Sequence, residues 1–152
     1  MKKSSAWKMV CIVFMFCAAA VIASPAQTLT TLVNFAGANG ANPQSSLIQG
    51  TDGNFYGTTP DGGDLSKCSS FGCGTVFKIT PGGTLTTLYS FCAQTNCTDG
   101  ADPLGGLVQA TDGNFYGTTS AGGTRGDGTV FKITPSGLSL IHIYKRWDRD
   151  RH

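Results

Sequence analysis

The sequence predicts an all-β fold of two tandem four-stranded antiparallel repeats behind an N-terminal signal-peptide helix. Three observations carry this. First, residues 46–59 (SLIQGTDGNFYGTT) return as 106–119 (GLVQATDGNFYGTT), GTVFKITP at 74–81 returns at 128–135, and TLTTL at 28–32 returns at 84–88. The blocks keep their order, offset by 60, 54 and 56 residues. Repeats of roughly this period build stacked or radial architectures, because no single unit buries its own apolar face. Second, the recurring blocks are rich in Thr, Val, Ile, Phe and Tyr, and residues 27–137 show no 3.6-residue apolar period. Third, Asp-Gly and Pro-Gly-Gly sequences fall between the apolar runs, where hairpin turns belong.

The elements follow in order. Lys2, Lys3 and Lys8 form a basic start, residues 9–22 are apolar, and Ser24-Pro25-Ala26 offers a cleavage site, so residues 1–26 read as a secretory signal peptide. The apolar run of 14 residues is short of the roughly 20 that span a bilayer. Repeat 1 is placed at 27–83, with strands at 28–35, 46–49, 54–59 and 75–80. Repeat 2 is placed at 84–137, with strands at 84–91, 106–110, 114–119 and 129–134. Asp52-Gly53 and Asp112-Gly113 are expected as two-residue hairpin turns, both positions taking positive φ. Pro81-Gly82-Gly83 and Pro135-Ser136-Gly137 are the next tight turns, with Pro presetting φ. A four-stranded meander per repeat is the blade of a β-propeller, and two blades imply a fragment of a larger ring. Residues 28–35 would then serve as the outer strand of another blade. Phe55, Tyr56, Phe77, Ile79, Phe115, Tyr116, Phe131 and Ile133 are expected in the blade core.

Residues 27–137 contain no His, Glu or Trp, and their four Lys/Arg against seven Asp leave a net charge of −3. That balance gives no electrostatic reason to bind nucleic acid or an anionic membrane. The missing His and Glu remove the usual general acids and bases, and the sequence holds no Gly-x-Ser-x-Gly elbow, HExxH or P-loop. No catalytic residue and no cofactor is therefore expected.

Four cysteines remain after the leader, Cys68, Cys73, Cys92 and Cys97, as two pairs with four residues between the members of each. Export permits disulfides, and local bridges Cys68–Cys73 and Cys92–Cys97 are the simplest of three connectivities. Zinc is the competing reading, disfavoured in an oxidising compartment. Asp61 with Asp64, and Asp99 with Asp102, are weak calcium candidates, each pair in a Gly-containing loop.

After Gly137 the pattern stops. Residues 138–152 (LSLIHIYKRWDRDRH) hold both His and four of the eleven Lys/Arg. LSLIHI resembles the in-frame translation of a transposase-adapter end used in DNA library preparation, so this tail is expected to be a sequencing artefact.

GLVQATDGNFYGTT, GTVFKITP and TLTTLYSF resemble the GloVer (Gloeo/Verruco) tandem repeat of exported bacterial proteins, over residues 28–137. The resemblance implies an extracytoplasmic, β-propeller-like repeat protein whose relatives carry varied C-terminal anchors. It implies no reaction and no catalytic residues. The expected role is a non-catalytic secreted or cell-surface module for adhesion or for ligand, protein or glycan binding. The alternative is part of a propeller-scaffold enzyme acting on extracellular polysaccharide, with its catalytic residues outside this chain. Expected partners are an extracellular ligand, no nucleic acid, and a membrane only through the signal peptide or a missing C-terminal anchor. Self-association is expected if only two repeats exist, because open sheet edges invite pairing. Ligand contacts are expected in the loops that differ between copies, 61–73 against 120–127 and 35–45 against 91–105.

Overall fold

A computed structural model describes residues 27–137. The expected signal peptide at 1–26 and the expected non-repeat tail at 138–152 lie outside the described residues. Among the described residues there is no α-helix, and no helix is long and apolar enough to cross a membrane. The described residues hold seven strands: β1 (Ile48–Gln49), β2 (Phe55–Thr59), β3 (Thr75–Ile79), β4 (Leu85–Ser90), β5 (Val108–Gln109), β6 (Phe115–Thr119) and β7 (Thr129–Ile133). They form two antiparallel sheets, ordered β1-β2-β3-β4 and β5-β6-β7. Short 3-10 turns occur at Cys68–Ser70 and Thr95–Cys97.

The registers of the two sheets match. Phe55 opposes Ile79 and Thr59 opposes Thr75, just as Phe115 opposes Ile133 and Thr119 opposes Thr129. The Asp-Gly turn differs from expectation. Gly50 N–H donates to the Asn54 carbonyl (2.8 Å) and Gly53 N–H to the Gly50 carbonyl (2.9 Å), so the loop has three residues, Thr51–Asp52–Gly53. Only Gly53 takes positive φ, at 80°. This is a turn followed by a left-handed glycine, which leaves Asp52 free to point its carboxylate along the strand. Thr80, Pro81, Gly82 and Gly83 repeat the pattern, with Gly83 N–H donating to the Thr80 carbonyl at 2.9 Å.

The grouping of strands also departs from expectation. The first copy of TLTTL, within 28–35, forms no strand. The second copy forms β4, and β4 pairs with β3, not with β5. The reason is connection length. A three-residue turn joins β3 directly to β4, whereas residues 91–107 separate β4 from β5, and short connections make antiparallel neighbours. The second TLTTL block thus completes the sheet that precedes it in the chain. Residues 28–35 have no preceding sheet among the described residues on which to pair.

Packing repeats as well. Phe35 meets Phe77 edge-on at 5.0 Å between centroids, and Phe91 meets Phe131 at 5.1 Å. The Phe77 and Phe131 rings lie over Gly57 and Gly117, where an added Cβ would approach them to 2.6 and 2.5 Å. This explains the glycine inside each NFYGTT strand.

The two sheets meet through β2 and β6. Tyr56, fully buried, stacks on Phe115 with centroids 4.0 Å apart and planes 30° from parallel. Thr58 Oγ1 donates to the Gly105 carbonyl (2.9 Å), and Gln109 Oε1 accepts Thr51 N–H (2.9 Å). This contact covers one face of the first sheet. The equivalent face of the second sheet is open among the described residues: Val76 is 0% exposed but Val130 47%, and Thr58 is buried but Thr118 exposed. Of the eight expected core residues, six are buried, while Phe55 and Tyr116 are half-buried at the two outer faces.

Candidate functional site

The loops that differ between the copies gather at one end of the sheets, and buried polar contacts hold them there. Thr59 Oγ1 and Thr75 Oγ1 share a hydrogen bond of 2.8 Å, and Thr119 and Thr129 share one of 2.9 Å. Gly40 and Gly100 press onto these pairs. An added Cβ at Gly100 would stand 2.6 Å from both hydroxyls of its pair, and φ there is +103°. The Gly-Ala-Asx-Pro elements at 40–43 and 100–103 are thus locked, each to the last Thr of NFYGTT and the Thr of GTVF.

Asp99 is the buried anchor of the second long loop. Its carboxylate, with the residue 0% exposed, accepts Tyr89 O–H (2.8 Å), Ala93 N–H (2.8 Å) and Gln94 N–H (3.3 Å). Burial, then the bond to Asp99, pushes the Tyr89 hydroxyl pKa well up. Asp64 accepts Ser66 N–H (3.0 Å) and Ser66 O–H (2.6 Å), and these bonds hold its pKa down. Asp61 accepts the Asn42 side-chain amide at 2.8 Å. Three of the four calcium candidates, Asp61, Asp64 and Asp99, thus hydrogen-bond separate partners. The four cysteines are the only group of three or more His, Cys, Asp or Glu brought to metal-binding proximity among the described residues.

A different acidic pair emerges. Asp61 and Asp102, from different repeats, line one open cleft of about 540 Å³ together with Gln44, Phe71, Leu104 and Ser120. Burial, and then the negative charge of Asp61, raise the Asp102 pKa above the ordinary carboxylate value. Asp102 sits at φ +55°, as Asn42 does in the first copy, a conformation that Asn and Asp tolerate best among non-glycine residues. Its N–H donates to the Cys73 carbonyl (2.9 Å) and its carbonyl accepts Ser120 N–H (3.1 Å). Phe71, 72% exposed, projects at the rim. The cleft draws on all four variable loops. Asp61 and Asp102 carry no sequence signal of adjacency, since they lie in different repeats.

The DGN turns have a structural part. Asp52 accepts Asn54 N–H (3.2 Å), the Asn54 amide (2.7 Å) and Tyr56 O–H (2.7 Å). Asp112 accepts Asn114 N–H (3.0 Å), Tyr116 O–H (2.9 Å) and Lys132 Nζ (3.2 Å). Both carboxylates are held below the ordinary range by these bonds, with Tyr56 the largest contribution for Asp52 and Asn114 for Asp112. The motif D-G-N-aromatic-Tyr is thus a turn whose acid ties down the amide two residues on and the hydroxyl four residues on.

The structure joins Cys68 to Cys73 and Cys92 to Cys97, the local connectivity. A family model described as Gloeobacter/Verrucomicrobia repeat matches residues 20–151, a span that takes in the two repeats and most of the tail. A search of the curated proteins finds no match.

Proposed function

We propose that this chain, which belongs to the Gloeobacter/Verrucomicrobia repeat family, is a non-catalytic extracytoplasmic module of β-propeller type that binds a saccharide in the cleft between its variable loops. The cleft carries the proposal: the loops that vary between otherwise matching copies all converge on it. Scaffolds of repeated sheets write specificity into such loops. An exposed aromatic ring beside carboxylates, an amide and a hydroxyl suits a sugar, whose ring has an apolar face and an edge of hydroxyls. Phe71 supplies the ring, and Asp61, Asp102, Gln44 and Ser120 the polar groups. Two disulfides in the region next to the cleft suit an oxidising compartment and so support export.

The propeller reading rests on the way the second sheet stacks on the first. The face that carries Val108, Tyr116, Thr118 and Val130 repeats the face that the second sheet covers on the first, and a further sheet of the same kind fits it. A second copy of the chain is one source of that sheet.

The test is binding of a panel of neutral and acidic oligosaccharides to the immobilised full chain. Saturable binding, weakened tenfold or more by Phe71→Ala and by Asp102→Asn with the circular dichroism spectrum unchanged, supports the reading. Binding indifferent to both substitutions, or none across the panel, refutes it. A second reading has one observation behind it: two carboxylates, one with a raised pKa, face a shared cleft, the pattern of glycosidic acid catalysis. Release of reducing ends from a bound polysaccharide, abolished by Asp102→Asn, would favour it.

A further inference from the structure

The four cysteines read as two separate local pairs in the sequence, 24 residues apart between Cys68 and Cys92. The fold brings the pairs together. Cys73 lies two residues before Thr75, Cys92 two residues after Ser90, and Thr75 opposes Ser90 in the β3–β4 ladder. Phe91 N–H donates to the Gly74 carbonyl (3.0 Å) and continues the pairing toward the cysteines. All four sulfur atoms lie within 4.8 Å of one another.

We infer that this cluster is a thiol-gated site for a soft divalent cation of the zinc class: closed as two disulfides when oxidised, a tetrathiolate ligand set when reduced. Tetrahedral zinc with Zn–S bonds of about 2.3 Å needs sulfur–sulfur edges of about 3.8 Å. The sulfurs of different pairs lie within 4.8 Å of one another, so once the pairs are reduced, side-chain rotation alone can bring four thiolates to that spacing. Four residues stand between the cysteines of each pair, within the spacing of zinc-binding loops.

Reduction leaves the scaffold in place, because main-chain hydrogen bonds hold the cysteines independently of the sulfur bonds. The Cys73 carbonyl accepts Asp102 N–H (2.9 Å), Cys92 N–H donates to the Gly100 carbonyl (3.2 Å), and the Cys97 carbonyl accepts both Gly100 and Gly123 N–H (2.9 Å each). Cys73 and Cys92 are buried, and Cys68 and Cys97 are half-buried, which gives the site a dry side and an entry side.

The chemistry balances with a low-molecular-weight dithiol as reductant. Each protein disulfide takes two electrons and two protons, and each dithiol leaves as its own disulfide. The four thiols release four protons as one cation binds, and the tetrathiolate complex carries a net charge of −2.

The test takes the full chain, reduced without oxygen and freed of reductant, into titrations with zinc and separately with cobalt(II). Native mass spectrometry should find one zinc per reduced chain and none per oxidised chain. Cobalt should give thiolate charge-transfer absorption and the strong visible bands of a tetrahedral site. Cys68→Ser with Cys97→Ser, one ligand lost from each pair, should weaken zinc by about 100-fold or more. Circular dichroism follows the sheets throughout. A reduced chain that keeps its sheets without retaining zinc overturns the inference, as does cobalt bound without thiolate absorption. A reduced chain that loses its sheets and does not regain them with zinc overturns it equally.

Discussion

Tyr56 and Tyr116 occupy the same place in the same motif, yet the fold gives them different surroundings, so a matched pair of alanine substitutions tests how the sheets meet. Both hydroxyls donate to the Asp four residues before, at 2.7 and 2.9 Å. Tyr56 is fully buried and stacks on Phe115 at 4.0 Å. Tyr116 is half-buried on the open face, with Lys132 Nζ 5.7 Å from its ring. Removing a fully buried aromatic ring costs about 3–5 kcal/mol, transfer and cavity together. Tyr116→Ala loses a hydrogen bond and an exposed cation–π contact, each about 1 kcal/mol or less. Tyr56→Ala should therefore cost about 2 kcal/mol more than Tyr116→Ala. At about 4–8 °C per kcal/mol for a domain of this size, their melting temperatures should differ by about 10 °C or more. The assay is thermal and urea unfolding by circular dichroism at low protein concentration, where association through the open face is weakest. Equal losses would mean that the Tyr56–Phe115 stack does not join the sheets, and the propeller-type arrangement would fall with it.

Four further outcomes are expected. Gly57→Ala places a methyl 2.6 Å from the Phe77 ring and 2.8 Å from a Leu47 methyl, and should cost about 1–3 kcal/mol in urea unfolding, whereas Gly53→Ser, with open space at the Cβ, should lose only through its positive φ. The raised pKa of Asp102 means that its contribution to stability is present below the unfolded carboxylate value, about 4, and is lost as pH rises through the folded value. Asp102→Asn should therefore raise the melting temperature at neutral pH and change it little in acid. Asp52 and Asp112, held low, act with the opposite sign: their contribution is present above the unfolded value and is lost as pH falls through the folded one, so Asp112→Asn should flatten the acid limb of the stability profile. Val108, 65% exposed, and Val130, 47% exposed, make the open face apolar, so sedimentation of the full chain should show concentration-dependent association that Val130→Lys reduces. An unchanged distribution for the variant would mean that this face takes no second copy.

What the sequence makes legible is local. Hydrophobic patterning placed β2, β3, β6 and β7 within a residue of their observed bounds, because NFYGTT and TVFKIT satisfy β-propensity and turn chemistry together. The Asp-Gly hairpin loop is one residue longer than the dipeptide predicts, since the pairing that decides two-residue from three-residue loops runs from Gly50 to Asn54, outside the dipeptide. Strand membership across repeats was less legible. TLTTL has the same intrinsic preference at 28–32 and 84–88, and only the second copy becomes a strand, because pairing partners decide what propensity leaves open. The cleft was half visible: unequal loop lengths pointed to its walls, but the meeting of Asp61 with Asp102 depends on how two sheets stack. The cysteine cluster was hidden for the same reason, its proximity being set by the β3–β4 register.

That register also bears on stability. The repeat seam in the sequence falls before Thr84, but the hydrogen bonds cross it, since Leu85–Ser90 completes the first sheet while Phe91, the next residue, packs on Phe131 of the second. The segment 85–91 is thus shared: its main chain belongs to the first sheet, and its terminal ring packs on Tyr89 of that sheet (5.4 Å) and on Phe131 of the next (5.1 Å). Phe91→Ala, beyond the end of β4, removes a buried ring from the second sheet's face without touching a β3–β4 hydrogen-bonded strand residue. Its cost, about 3–5 kcal/mol, should appear as a loss of amide protection in β6 and β7 first, with β2 and β3 following only if the sheets unfold as one unit. Protection lost first in β3 and β4, with β7 intact, would mean that Phe91 serves its own sheet and that the seam of the sequence is the seam of the fold.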